Sequence, residues 1–192
     1  MMPQSRTVNS MRSMYHGDRR PCRVVSLRYL QHSMAIMSTL GPFWRVILFL
    51  APLCPICQNM AHEMRLLEQE FAGAPIEFVG VFPNPSTRPD QMAQFGETYG
   101  LDMDLVADTA GWAGQLGARW TPEAIVLDER DSVVYRGRLN DRYFAPGKRR
   151  PRTRNRDLRN ALKDVLDGKP VSTPITDAVG CPIEGLRIHK SP

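Results

Sequence analysis

Long, uninterrupted apolar runs are missing from this chain. The most apolar stretch, Met34 to Leu53, is broken by Gly41-Pro42 and by Arg45, so it reads as a loop followed by a buried strand, and no membrane span is expected. A secretory leader is missing too, because the only apolar core that could serve lies too close to a cysteine pair for cleavage to leave a fold. Either the protein is not exported by that route or this start is not the natural one. The default location is cytoplasmic, and the cell envelope is the alternative if the start is misassigned. Cysteine is scarce, four in 192 residues. Only Cys54 and Cys57 lie close together, so no second pair completes a zinc site, and Gln58 stands where c-type haem attachment needs a histidine. Metal ligands and cofactors are therefore not expected. Nucleic-acid motifs and internal repeats are lacking as well. The net charge of +5 comes from unevenly placed basic residues, and aromatic interleaving in the main basic run is confined to Tyr143 and Phe144.

What the chain does have is organised around Phe43 to Phe71, FWRVILFLAPLCPICQNMAHEMRLLEQEF. Val46, Ile47, Leu48, Phe49 and Leu50 form a continuous apolar run of strand length, the pattern of a strand buried on both faces. Pro52 ends it. From Ile56 onward Met60, Met64, Leu67 and Phe71 recur at helical spacing, with Gly73 placed for a C-cap. Cys54 therefore falls at or just before a helix N-terminus, where unpaired amides and the helix dipole favour an anion, here a thiolate. Cys54 is the expected nucleophile. Cys57, one turn further in and facing the same way, is placed to attack a mixed disulfide at Cys54 and release reduced substrate. Pro55 suits the first helical position and sets the loop between the sulfurs.

The segments LFLAPLCPICQNM and Trp120-Thr121-Pro122-Glu123 followed by Ala124-Ile125-Val126-Leu127-Asp128 resemble the thioredoxin superfamily. Within it they resemble the redoxin branch, the AhpC/TSA, peroxiredoxin-like and thiol-disulfide oxidoreductase proteins. The likeness covers roughly Phe43 to Gly168. It implies a thioredoxin-like three-layer α/β sandwich, a central mixed sheet flanked by helices, and a cis Pro122 facing the Cys-x-x-Cys loop.

The remaining pattern is consistent with that architecture. One domain is expected over 41–170, after an N-terminal extension over 1–40 without a clear period and before a tail over 171–192. Ile76 to Phe82 reads as a second buried strand, parallel to the first. Pro89 opens a helix carrying Met92, Phe95 and Tyr99 and ending at Gly100. Leu105 to Ala107 is a short strand, and Thr109 to Gly117 a short helix weakened by three glycines. Glu123 to Leu127 and Ser132 to Arg138 form an antiparallel hairpin. Arg156 to Leu166, with Leu158, Leu162, Val165 and Leu166 on one face, is the closing helix.

Several residues outside the pair invite attention. Cys181, in Gly180-Cys181-Pro182, is read either as a further resolving or regulatory thiol that folds back on Cys54 and Cys57, or as a tail cysteine without chemistry. Gly180 would permit close backbone approach. Cys22 lies in the unpatterned N-terminus and is read as without chemistry. Thr121 supports Pro122, and Glu123 could relay a proton to Cys57 if the hairpin buries it. Trp112 and Trp120 are candidates for an apolar wall beside the disulfide, and His62 is read as surface. The segment Arg142 to Arg159 is a basic loop entering the last helix, either a solvated surface or a patch for an acidic partner.

Three functional readings follow. The first is a thiol-disulfide oxidoreductase cycling Cys54 and Cys57 against a protein or small-molecule disulfide, with no cofactor beyond the cysteines. The second is a thiol peroxidase using Cys54. Against it, Ala51 stands where the peroxiredoxin pattern has a threonine. The third is a redox-sensing or metal-binding module, and the Cys-x-x-Cys spacing does not match thioredoxin-fold copper carriers.

Overall fold

A computed structural model describes residues 43–185. The expected extension over 1–40, including Cys22, lies outside the described residues, as does the end of the tail. The centre of the fold is β1 (Trp44–Phe49). It pairs in parallel with β2 (Ile76–Phe82) on one side and antiparallel with β5 (Glu123–Leu127) on the other. Adding β3 (Asp104–Ala107) and β6 (Val133–Gly137) gives a five-stranded mixed sheet in the order β3-β2-β1-β5-β6. Such a central strand needs apolar side chains on both faces. Val46 and Leu48 supply one face and Ile47 and Phe49 the other, all at most 1% exposed.

The two faces are covered unequally. On the first, α1 (Pro55–Glu70), α2 (Pro89–Tyr99) and α4 (Asp157–Leu166) pack through Met60, Met64, Met92, Phe95, Leu158 and Leu162. The second is covered, among the described residues, by the single turn α3 (Trp112–Gln115) with Ala118 and Ile183. The α3 helix is shorter than its sequence suggests, because Gly111 and Gly117 both adopt positive φ and bound it. Asp108 caps it by accepting hydrogen bonds from the amides of Trp112 and Ala113 at 2.7 and 2.8 Å.

The expected helix starts hold: proline occupies the first turn of both α1 and α2, and Gly100 closes α2 in the left-handed conformation. The basic segment is not a plain loop. It contains a small hairpin of β7 (Tyr143–Ala145) and β8 (Lys148–Arg149), which Asp141 ties down by accepting from the amides of Arg154 and Asn155.

Beyond α4 the chain returns across the sheet as a strap. Arg136 donates to the Pro174 carbonyl at 2.8 Å, and the Thr176 amide donates back to Arg136 at 2.9 Å. The Thr176 hydroxyl meets Tyr135 Oη and accepts from the Arg138 amide. The strap ends in β9 (Cys181–Pro182), antiparallel to β4 (Trp120–Thr121), an element with no helical or alternating signature in the sequence. Gly137, at φ +145°, lies where an added Cβ would run into Thr176. Replacing it with Val should lower stability by roughly 1–3 kcal/mol, measured as a fall in the urea midpoint with little change in slope.

Candidate active site

The chain leaves β1 at Phe49 and turns within five residues. Leu50 still donates to the Val81 carbonyl, Cys54 closes the turn by donating to Ala51 at 3.1 Å, and the Gln58 side chain holds the Pro52 carbonyl at 2.8 Å. Cys54 is the N-cap of α1, with extended φ and ψ of −76° and 116°, and Pro55 follows as the first helical residue. The register between β1 and β5 sets Phe49 opposite Glu123. The residues just before Glu123 therefore stand beside the turn that carries Cys54. They are Thr121 and Pro122, joined by a cis peptide bond as the resemblance implies.

Three sulfurs meet here. Cys54 Sγ, as a thiol, donates to the Thr121 carbonyl at 3.0 Å, and Cys181 Sγ lies 2.6 Å from Cys54 Sγ. Cys57 packs beneath them and is fully buried. All three are free thiols. Their acidities are pushed apart. A hydrogen bond from the Cys57 thiol brings Cys54 down to about 5, against the opposing effect of burial, with Cys181 adding a second hydrogen bond. The helix start favours the same charge. Burial raises Cys57 well above the ordinary thiol range, and the neighbouring Cys54 sulfur adds to the rise. Cys181 is pushed up to about 12, by burial first and then by its hydrogen bond to Cys54. At neutral pH these shifts favour a thiolate at Cys54, which then gives up the proton it donates to Thr121, with Cys57 and Cys181 protonated beside it.

Cys181 reaches the site through its backbone. Thr121 pairs with Cys181 and Trp120 with Pro182, while Thr121 Oγ1 donates to the Cys181 carbonyl at 3.3 Å. Gly180 sits against the Thr121 main chain so closely that a Cβ would overlap its carbonyl. Sequence reasoning placed Cys181 near the site as one of two alternatives but missed the strand pairing that carries it there. A two-residue strand leaves no periodic signal; the glycine before the cysteine is the only mark.

The other candidate residues fall elsewhere. Glu123 is buried, but its Oε2 accepts from the amides of Arg119 and Trp120 at 2.7 and 3.0 Å. By strand alternation it shares a face with Ile125 and Leu127, whereas Cys57 packs with Ala124 and Val126 on the other. Its Oε2 shapes the approach to the Thr121-Pro122 turn. Trp112 and Trp120 are half-buried, with Trp112 packed against the second core face. His62 is exposed and paired with Arg65. In the basic segment Arg150 pairs with Asp141, Arg156 with Glu63 and Arg159 with Glu70. Lys148, Arg149 and Arg152 remain exposed. A shallow cleft beside the sulfurs is lined by Ile56, Met60, Pro122, Tyr143 and Val179. Leu53, immediately before Cys54, is 77% exposed. Among the described residues no group of three or more His, Cys, Asp or Glu is arranged to hold a metal ion, and no helix is long and apolar enough to cross a membrane.

Known proteins share this arrangement of elements. A hypothetical protein from Sinorhizobium meliloti superposes with a TM-score of 0.65 at 24% identity, covering 75% of this chain and 80% of its own. An uncharacterised conserved protein from Geobacillus kaustophilus gives 0.63 at 24% identity over 77% and 79%. Both likenesses concern the fold alone. No curated protein sequence matches. The AhpC/TSA family profile matches residues 36–136, more than half of the chain. With the mixed sheet, the Cys-x-x-Cys helix start and the Thr-Pro turn in place, the chain belongs to the AhpC/TSA family, in the redoxin branch of the thioredoxin-like superfamily.

Proposed function

We propose that the protein is a thiol-disulfide oxidoreductase in which Cys54 and Cys57 cycle between dithiol and disulfide against a disulfide partner. Thiol-based redox chemistry follows from its family; the reaction assigned here is the finer reading. It rests on one observation above others, the low-pKa Cys54 at the mouth of α1 with the protonated Cys57 one turn inside.

The Cys54 thiolate attacks one sulfur of the partner disulfide. That bond breaks, Cys54 joins one partner sulfur, and the other leaves and takes up a proton. Cys57 then gives up its proton and attacks Cys54 Sγ. The mixed disulfide breaks, the second partner thiol departs, and two electrons have passed from the dithiol to the partner. The acidity difference serves both steps: the nucleophile is ionised at neutral pH, while Cys57 stays protonated until a mixed disulfide offers it a target. A thiol as acidic as Cys54 stabilises the reduced state, so its disulfide leans towards the oxidising end of the range. The cycle uses no cofactor beyond the cysteines.

A protein partner suits the surroundings better than a small molecule. Leu53 offers an exposed apolar contact beside the nucleophile, and Lys148, Arg149 and Arg152 offer positive charge to an acidic surface. Peroxide reduction is the weaker reading, because Ala51 brings no hydroxyl to the position three residues before Cys54.

Cys54→Ser should abolish reduction of a protein disulfide, whereas Cys57→Ser should accumulate a mixed disulfide visible on a non-reducing gel. Wild-type rates in Cys54→Ser would sink the assignment. Because the Cys54 value is lowered, its thiolate persists down to about pH 5 and is lost only below that. Alkylation of Cys54, followed by peptide mass spectrometry, should therefore be half-maximal near pH 5. In Cys57→Ala, where the principal hydrogen bond is gone, the midpoint should move up towards the ordinary thiol range.

A further inference from the structure

The disulfide cycle just described uses two of the three sulfurs, yet the third is the one in direct contact with the nucleophile. Cys181 Sγ lies 2.6 Å from Cys54 Sγ. It is carried on a strand whose main chain pairs with Thr121, and it is held from both sides. Upstream, Thr176 is bonded to Arg136, Arg138 and Tyr135. Downstream, the Ile183 amide donates to Arg119, Ile183 is 4% exposed in the second core face, and Glu184 is bonded to Asn84 and Ser86. An extended peptide added to an open strand edge would make these same main-chain contacts. Here the chain makes them with itself, and Val179 lines the cleft beside Pro122.

We propose that β9 is an in-chain occupant of the partner groove and that Cys181 is a third redox thiol, which closes the site by forming a disulfide with Cys54. The inference rests on the reading of Cys54 as the exchanging nucleophile. Its chemistry balances with a low-molecular-weight disulfide such as oxidised glutathione as the oxidant. The Cys54 thiolate attacks one glutathione sulfur, the glutathione disulfide breaks, and one glutathione leaves as thiolate and is protonated. Cys181 then loses its proton and attacks Cys54 Sγ. The Cys54-glutathione bond breaks, the second glutathione leaves and takes up that proton, and a Cys54-Cys181 disulfide remains. Two protein thiols have been oxidised and one glutathione disulfide reduced. Cys54 is 3% exposed, and a small oxidant needs a far smaller opening there than a protein does, so Cys181 stays close enough to resolve the adduct. A protein partner has to lift β9 off Thr121 first, and once Cys54 and Cys181 are bonded it is shut out. The groove also sets a requirement on any segment that replaces β9: the residue before its cysteine has to be glycine, because Gly180 leaves no room for a Cβ against the Thr121 carbonyl.

The test uses the full-length chain. Cys57→Ser protein is treated with oxidised glutathione, alkylated and mapped by mass spectrometry, so that any link through Cys22 is assigned separately. The expected product is a crosslinked pair of peptides carrying Cys54 and Cys181, with no retained glutathione. A stable Cys54-glutathione adduct beside a freely alkylated Cys181 overturns this inference while leaving Cys54 as the exchanging thiol. A Cys54 that fails to react sinks both readings. For the occupancy, a protein-sized maleimide conjugate is offered to reduced wild type, Cys181→Ser and Gly180→Val. A tethered strand competes with outside partners at an effective concentration in the millimolar range, so Gly180→Val should label Cys54 about threefold faster or more and lose the crosslink. Cys181→Ser, whose main chain still pairs with Thr121, should keep the slow labelling. Equal labelling and equal crosslinking in wild type and Gly180→Val overturn the occupancy.

Discussion

The antiparallel register between β1 and β5 is the constraint from which the chemistry follows. Phe49 opposite Glu123 fixes where each strand stops. Beyond one stop the chain turns into α1 with Cys54 at its cap; before the other lie Thr121 and Pro122. A shift of one residue would exchange the two faces of β1, so that Val46 and Leu48 would have to fill the space shaped for Ile47 and Phe49. It would also carry the Thr121 carbonyl away from Cys54. The apolar pattern that buries the strand therefore also aligns the site.

Within that frame the three thiols differ by environment rather than by type. Cys54 caps a helix and receives hydrogen bonds, and Cys57 is sealed beneath the sheet's first face. Cys181 is half-buried on the strap. One negative charge shared among three close sulfurs settles on the one that best accommodates it, and the other two are then held protonated by its presence. In the proposed cycle, the division into nucleophile and resolving thiols needs no base from elsewhere. This fits the observation that the buried Glu123 spends its carboxylate on main-chain amides.

Much of this was legible in the sequence because it depends on short-range pattern. The apolar run of β1, the Met60, Met64 and Leu67 stripe and the proline at the start of α1 mark a strand, a turn and a helix, and these alone place Cys54 at a helix mouth. The Thr121-Pro122 turn was legible through resemblance. The hairpin within the basic segment was hidden because charged residues such as Lys148 and Arg149 carry no alternation. The β9 pairing was hidden because two residues have no period. Its position is decided by contacts distant in sequence, at Thr176, Ile183 and Glu184. The bounds of α3 shifted because Gly111 and Gly117 adopt conformations that stop a helix.

The strap also has a consequence for how the protein is made. Cys181 follows Cys54 by 127 residues, and Ile183 is needed to fill the second core face. As the chain is synthesised, the acidic thiol and its helix emerge long before the segment that covers them. Until that last stretch is in place the nascent site lacks the strand that covers it, so completion of the core and covering of Cys54 arrive in a single step.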